Sequence, residues 1–144
     1  FCDPGQTHVG GGSVDLSSSC VCGPTAYHLE GTGGPEDEFG FFLVAATYSS
    51  PGISVGNGLL CLQLPIGRYN QNARGVWNSL GAFDAQGTFQ SITGNSSVGS
   101  GFDVPFQLPS TPGGFITPGD TWSFQMWFRD GLSSNLSNGI TVQF

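Results

Sequence analysis

The segment Asp120-Thr-Trp-Ser-Phe-Gln-Met-Trp-Phe-Arg-Asp130 alternates with a period of two. Successive side chains of a strand point to opposite faces, so Trp122, Phe124, Met126 and Phe128 share one apolar face. Ser123, Gln125, Trp127 and Arg129 share the other, which is polar apart from one indole. The pattern predicts a strand lying on a core, with Trp127 half-exposed or covered by a loop.

Residues 39–46 read differently. Phe39, Phe41 and Leu43 alternate with Gly40, Phe42 and Val44, and both faces are apolar. A strand of a simple two-layer sandwich is polar on its outer face. Phe42 and Val44 are therefore expected to need a cover, either a long loop of the same chain or a second molecule.

Further short β-patterned runs lie outward from these two, at 14–22, 25–30, 58–64, 76–83, 88–93, 101–108 and 140–144, with turn chemistry between them. Asp84-Ala-Gln-Gly87 has the form of a hairpin turn. No window keeps a helical apolar stripe for three turns without meeting Gly or Pro. About eight or nine strands at roughly 8–15-residue spacing predict an all-β chain, an antiparallel β-sandwich of jelly-roll or Greek-key type. Residues 1–144 read as one domain.

Composition narrows the function. The chain has 144 residues, of which 9% are charged, and its formal charge is −7; a typical globular chain is about a quarter charged. There is no Lys, and the positive side is Arg68, Arg74 and Arg129. Such a chain repels phosphate, and nucleic-acid binding is excluded. The longest apolar run, 39–46, is too short to cross a bilayer. Twelve Phe and three Trp supply a core, so low charge does not signal disorder.

Four cysteines, Cys2, Cys20, Cys22 and Cys61, in a chain poor in charge fit disulfides in an oxidising, extracytoplasmic compartment. Three pairings are open, and the favoured one joins Cys2 to Cys61 and leaves Cys20 to Cys22. The opening Phe1-Cys2-Asp3-Pro4 has no basic region or hydrophobic segment, as expected of a processed chain or a piece of a larger one.

The segments Glu38-Phe-Gly-Phe-Phe-Leu43, Asn57-Gly-Leu-Leu-Cys-Leu62, Ile66-Gly-Arg-Tyr69, Pro118-Gly-Asp-Thr-Trp-Ser-Phe-Gln-Met-Trp-Phe-Arg-Asp130 and Ser134-Asn-Leu-Ser-Asn138 resemble a secreted β-rich domain of planctomycetes and related bacteria. That domain usually lies at the carboxy-terminal end of large exported proteins. The likeness runs from Cys2 to Phe144. It implies a β-rich fold, export, and counterparts for Cys2 and Cys61, whereas Cys20, Cys22 and the acidic loop depart from the family pattern. It implies no catalytic residue and no cofactor.

Candidate chemistry is sparse. Gly52-Ile-Ser-Val-Gly56 has the spacing of a nucleophile elbow, but no helix follows it, and His8 and His28 both precede Ser54. Glu36, Asp37 and Glu38 read as a solvated loop, with a weak calcium site as the alternative. Asn95-Ser-Ser97 and Asn135-Leu-Ser137 match the N-glycosylation pattern. Arg129 and Asp130 read as a structural pair. Trp127, flanked by Gln125 and Arg129, has the make-up of a sugar platform, with Trp77 or Tyr69 as further aromatics.

Three functions follow as expectations, none of them enzymatic. The first is an extracellular or cell-surface structural module that self-assembles into a fibre or surface layer. Its contacts are Phe39, Phe42 and Val44 on one strand and Ile140, Val142 and Phe144 on the terminal one, which could complete a neighbour's sheet. The second is a carbohydrate-binding module built on Trp127, Gln125 and Arg129. The third is an export or anchoring domain of a larger secreted protein.

Overall fold

A computed structural model describes residues 1–20, 27–70 and 78–144. Cys22, Arg74 and Trp77 lie outside the described residues, and so does the expected pairing of Cys20 with Cys22. The described chain is all strand and turn. In chain order the strands are β1 (Asp15–Cys20), β2 (Tyr27–Thr32), β3 (Phe39–Ala45), β4 (Tyr48–Val55), β5 (Gly58–Leu62), β6 (Gly67–Arg68), β7 (Gly81–Phe83), β8 (Phe89–Ser91), β9 (Phe102–Val104), β10 (Thr121–Asp130) and β11 (Ser133–Gln143).

All named pairings are antiparallel. They form a three-stranded sheet β1-β2-β9, a six-stranded sheet β11-β10-β3-β7-β8 with β6 also on β3, and the separate hairpin β4-β5. The eleven strands exceed the eight or nine expected. Two of the differences are β6, only two residues long, and β4, where the sequence around Ser50-Pro51-Gly52 reads as a loop. β4 is mostly exposed and its register with β5 is interrupted between Tyr48 and Ile53. An exposed strand tolerates Pro and carries no apolar alternation to be read.

The principal core lies between the three-stranded and six-stranded sheets. Leu16, Leu29, Phe102 and Val104 from the first meet Phe42, Val44, Phe124, Met126 and Phe128 from the second. Phe42 sits edge-on to Phe89, with centroids 5.5 Å apart, and stacked on Phe102 at 5.8 Å. Each such ring contributes roughly 1.5–3 kcal/mol on burial. The layers approach closely at β2, where a Cβ on Gly31 would come within 2.9 Å of the Met126 sulfur.

This arrangement reassigns the apolar strand. Phe42 and Val44 are fully buried by the β1-β2-β9 sheet, so they are core residues and not assembly contacts. The opposite face carries the extra apolar surface. There Leu43, Ala45 and Leu136 pack with Leu62 of β5, and Phe1, Phe41, Val55, Leu60, Ile66 and Trp127 join them. A second, smaller core therefore lies on the outer face of the six-stranded sheet, under the β4-β5 hairpin.

Candidate functional site

The outer face of the six-stranded sheet is where polar and aromatic side chains converge. Trp127 of β10 pairs across to Phe41 of β3. Its ring lies 5.0 Å from Phe41 and 5.8 Å from Phe39, and the indole is half-buried. Phe39 itself is exposed.

Three attachments hold the β4-β5 hairpin over this face. Gln125 is fully buried: its Oε1 accepts the Cys61 N–H at 3.0 Å, and its Nε2 donates to Leu59 O at 2.7 Å and Ser137 O at 2.9 Å. Cys61 is bonded to Cys2, with Cα atoms 6.4 Å apart. At the hairpin turn, Asn57 N–H donates to Ser134 O, and its amide donates to Asp130 Oδ2 at 2.8 Å.

Asp130 gathers three segments. It also accepts the Val9 N–H at 2.7 Å and the Asn135 amide at 3.1 Å, and it is almost wholly buried. Burial alone would push its carboxyl up, but donation from Val9, Asn57 and Asn135, with His8 nearby, holds it below the ordinary carboxylate value. The expected pairing with Arg129 does not form; the carboxylate is spent on backbone and amide donors.

Between hairpin and sheet lies a cleft of ≈ 430 Å³. Phe41 and Leu43 of β3, Trp127 of β10 and Leu136 of β11 make its floor. Val55 and Leu60 come from the hairpin, and Leu64 and Ile66 from the loop after it. Among the described residues Arg68 of β6 is the one charged side chain in its lining, and this residue and Ile66 also border an adjoining polar hollow of ≈ 380 Å³ with Asn70 and Thr111. Among the described residues no ion pair or hydrogen bond engages the Arg68 side chain, which is exposed; the recorded ion pairs belong to His28.

That second cluster lies on the β1-β2-β9 sheet. His28 Nδ1 is 2.7 Å from Asp103 Oδ1, and Nε2 is 2.8 Å from Glu30 Oε2. Burial raises the Asp103 carboxyl, but His28 and Ser97 donate to it and hold it below the ordinary value.

The other expected residues fall as follows. Gln125 is not at the edge of a sugar platform, because its amide is consumed beneath the hairpin. Arg129 is partly buried on the Trp127 face, and Tyr69 is fully buried, its hydroxyl pushed up by burial. Ile140 and Phe144 pack against the principal core and Val142 is part of it. Phe1 and Gly139 exchange two backbone hydrogen bonds (2.7 and 3.1 Å), and Gln143 O accepts from Tyr27 Oη at 2.7 Å, so the β11 edge is occupied at these two positions. Ser54 lies on exposed β4, opposite Leu59.

Glu38 Oε1 accepts the Gly131 N–H, while Glu36 and Asp37 are exposed. Among the described residues no group of three or more His, Cys, Asp and Glu is placed to hold a metal ion. Asn95 donates to Asn78 O at 2.7 Å and Asn135 is fully buried, so both amides of the glycosylation pattern are engaged inside the fold. Sequence reasoning missed Arg68 and the hairpin residues. The signal was present in the apolar run of 58–66 ending on a lone cation, but its partner face is distant in sequence.

No family model, curated protein or solved structure matches this chain. Fold and site together define an all-β, sandwich-like domain with a disulfide-anchored hairpin roofing an aromatic cleft. Among the described residues no helix is long and apolar enough to cross a membrane.

Proposed function

We propose that this chain is a non-catalytic, extracytoplasmic module that acts by docking, with the Trp127 cleft as its working surface. The observation that carries the reading is the cleft itself. Among the described residues, eight apolar side chains line a hollow of ≈ 430 Å³ that the fold leaves open, whereas the opposite face of the same sheet is packed into the principal core. That volume lies within the usual range for ligand sites. The Cys2–Cys61 disulfide fits an oxidising compartment, in keeping with the resemblance to exported planctomycete domains and with an anchoring role in a larger secreted protein. A sugar-binding role loses its edge group in Gln125. The test is Leu64→Asp, a change at an exposed wall of the cleft. Retention of the chain on its native surface or partner material should fall several-fold, with thermal stability unchanged; unaltered retention refutes the reading.

Self-assembly remains a second reading, on a different observation. The two-residue turn between β10 and β11 presents Leu132 fully exposed, with exposed Val9 beside its Gly131. Glu38 lies against Gly131 at its base. An apolar tip with an acidic base matches an apolar cleft with a cationic rim, and a tip-in-cleft contact between copies would be head-to-tail, the kind that propagates into fibres.

A further inference from the structure

We infer that the cleft binds a single anionic amphiphile, its chain against Trp127 and its carboxylate or sulfate on Arg68; this rests on the docking reading and names the ligand class. The argument starts from charge. The chain carries ten carboxylates and three arginines, and one of those arginines stands in the cleft lining with no carboxylate engaged. A guanidinium presents a planar fork of donors suited to a carboxylate or sulfate. Here that fork stands where two hollows join.

The two hollows differ in kind. On one side of Arg68 the lining is Phe41, Leu60, Leu64 and Trp127, which offers no side-chain hydrogen bond except the indole N–H. On the other, Asn70 and Thr111 add an amide and a hydroxyl. A molecule with an apolar body and a compact anionic head matches this division. A neutral sugar does not, since its hydroxyls would be desolvated against aliphatic walls.

The net charge of −7 sets the source. Repulsion from the whole surface opposes approach to an anionic bilayer, where many charges act together. Opposite a single head group at Arg68 it is screened beyond about 8 Å at physiological ionic strength. The ligand is accordingly a free molecule taken singly, not a membrane surface.

The experiment is titration calorimetry of the intact chain with dodecanoate and with dodecanol below their aggregation limits. Arg68→Gln and Leu64→Asp serve as variants, and vesicles of anionic phospholipid form a separate arm. Both substitutions change exposed side chains and should leave the fold intact, which a thermal melt checks. Dodecanoate should bind one-to-one, and about tenfold more tightly than dodecanol, as a charge-assisted contact provides. Arg68→Gln should erase that preference, Leu64→Asp should weaken both ligands, and vesicles should not bind. Equal binding of acid and alcohol, unaffected by Arg68→Gln but lost in Leu64→Asp, overturns the anionic class and leaves the docking reading standing. Vesicle binding overturns the single-molecule claim. Absence of binding by either amphiphile overturns the inference, while the retention test on native material separately decides the docking role.

Discussion

The side-chain oxygen of Gln125 accepts the backbone N–H of Cys61 at 3.0 Å, across 64 residues of sequence. The same amide donates to Leu59 O and Ser137 O, so one buried side chain satisfies three backbone groups at the junction of β5, β10 and β11. Replacing Gln125 by Met keeps much of its volume but orphans all three. Each orphaned buried group costs about 1–3 kcal/mol, so Gln125→Met should destabilise the chain by about 3 kcal/mol or more. Urea denaturation checks this, and a loss under 1 kcal/mol would show that the hairpin is held otherwise.

The disulfide closes a loop with a sequence separation of 59. Chain-entropy arithmetic for such a loop gives about 4 kcal/mol. The double variant Cys2→Ser, Cys61→Ser should lose roughly 2–5 kcal/mol in the same assay, and its hairpin amides should exchange faster than those of β10.

Asp130 links stability to pH. Its folded carboxyl lies below the ordinary carboxylate value of 3.8, so the unfolded chain takes up its proton first as the solution is acidified. Its contribution is complete above 3.8 and is lost as pH falls through the lower, folded value. Asp103 acts in the same window and with the same sign. Unfolding free energy measured from pH 6 to pH 2 should therefore fall less steeply in Asp130→Asn than in the natural chain. Parallel curves would refute the linkage.

Leu132 tests self-association. It is fully exposed at the tip of the long hairpin, so Leu132→Ser should leave the melting temperature within about 2 °C, as exposed substitutions generally do. If copies assemble through this tip, light scattering across a concentration series should show larger species for the natural chain and smaller ones for the variant. A natural chain of 15.0 kDa at every concentration removes this reading.

Strand character and antiparallel layering were legible in the sequence, because the β10 alternation is complete. The core face expected for Phe124, Met126 and Phe128 is the one observed. The Cys2–Cys61 pairing is also the one favoured from sequence. For the 39–46 run the excess of apolar surface was legible, but not which face was in excess, since period-two alternation does not say which side meets the other sheet. Gln125 shows a second limit. A polar residue on a predicted outer face reads as exposed, and only the seat of β5 over β10 reveals that its amide bonds the backbone of β5 and β11. Arg68 was hidden for a related reason: it shares the site with Trp127, but nothing local in sequence connects them.

The two cores share β3, β10 and β11 but sit on opposite faces of the same sheet. Val55 and Leu60 pack with the outer cluster, Leu29, Phe102 and Phe128 with the principal one, and changes at separate sites act nearly independently on stability. Substitutions in the roof can therefore reshape the cleft while leaving the interior intact. The hairpin thus has the position of a replaceable loop, and the principal core that of the framework carrying it.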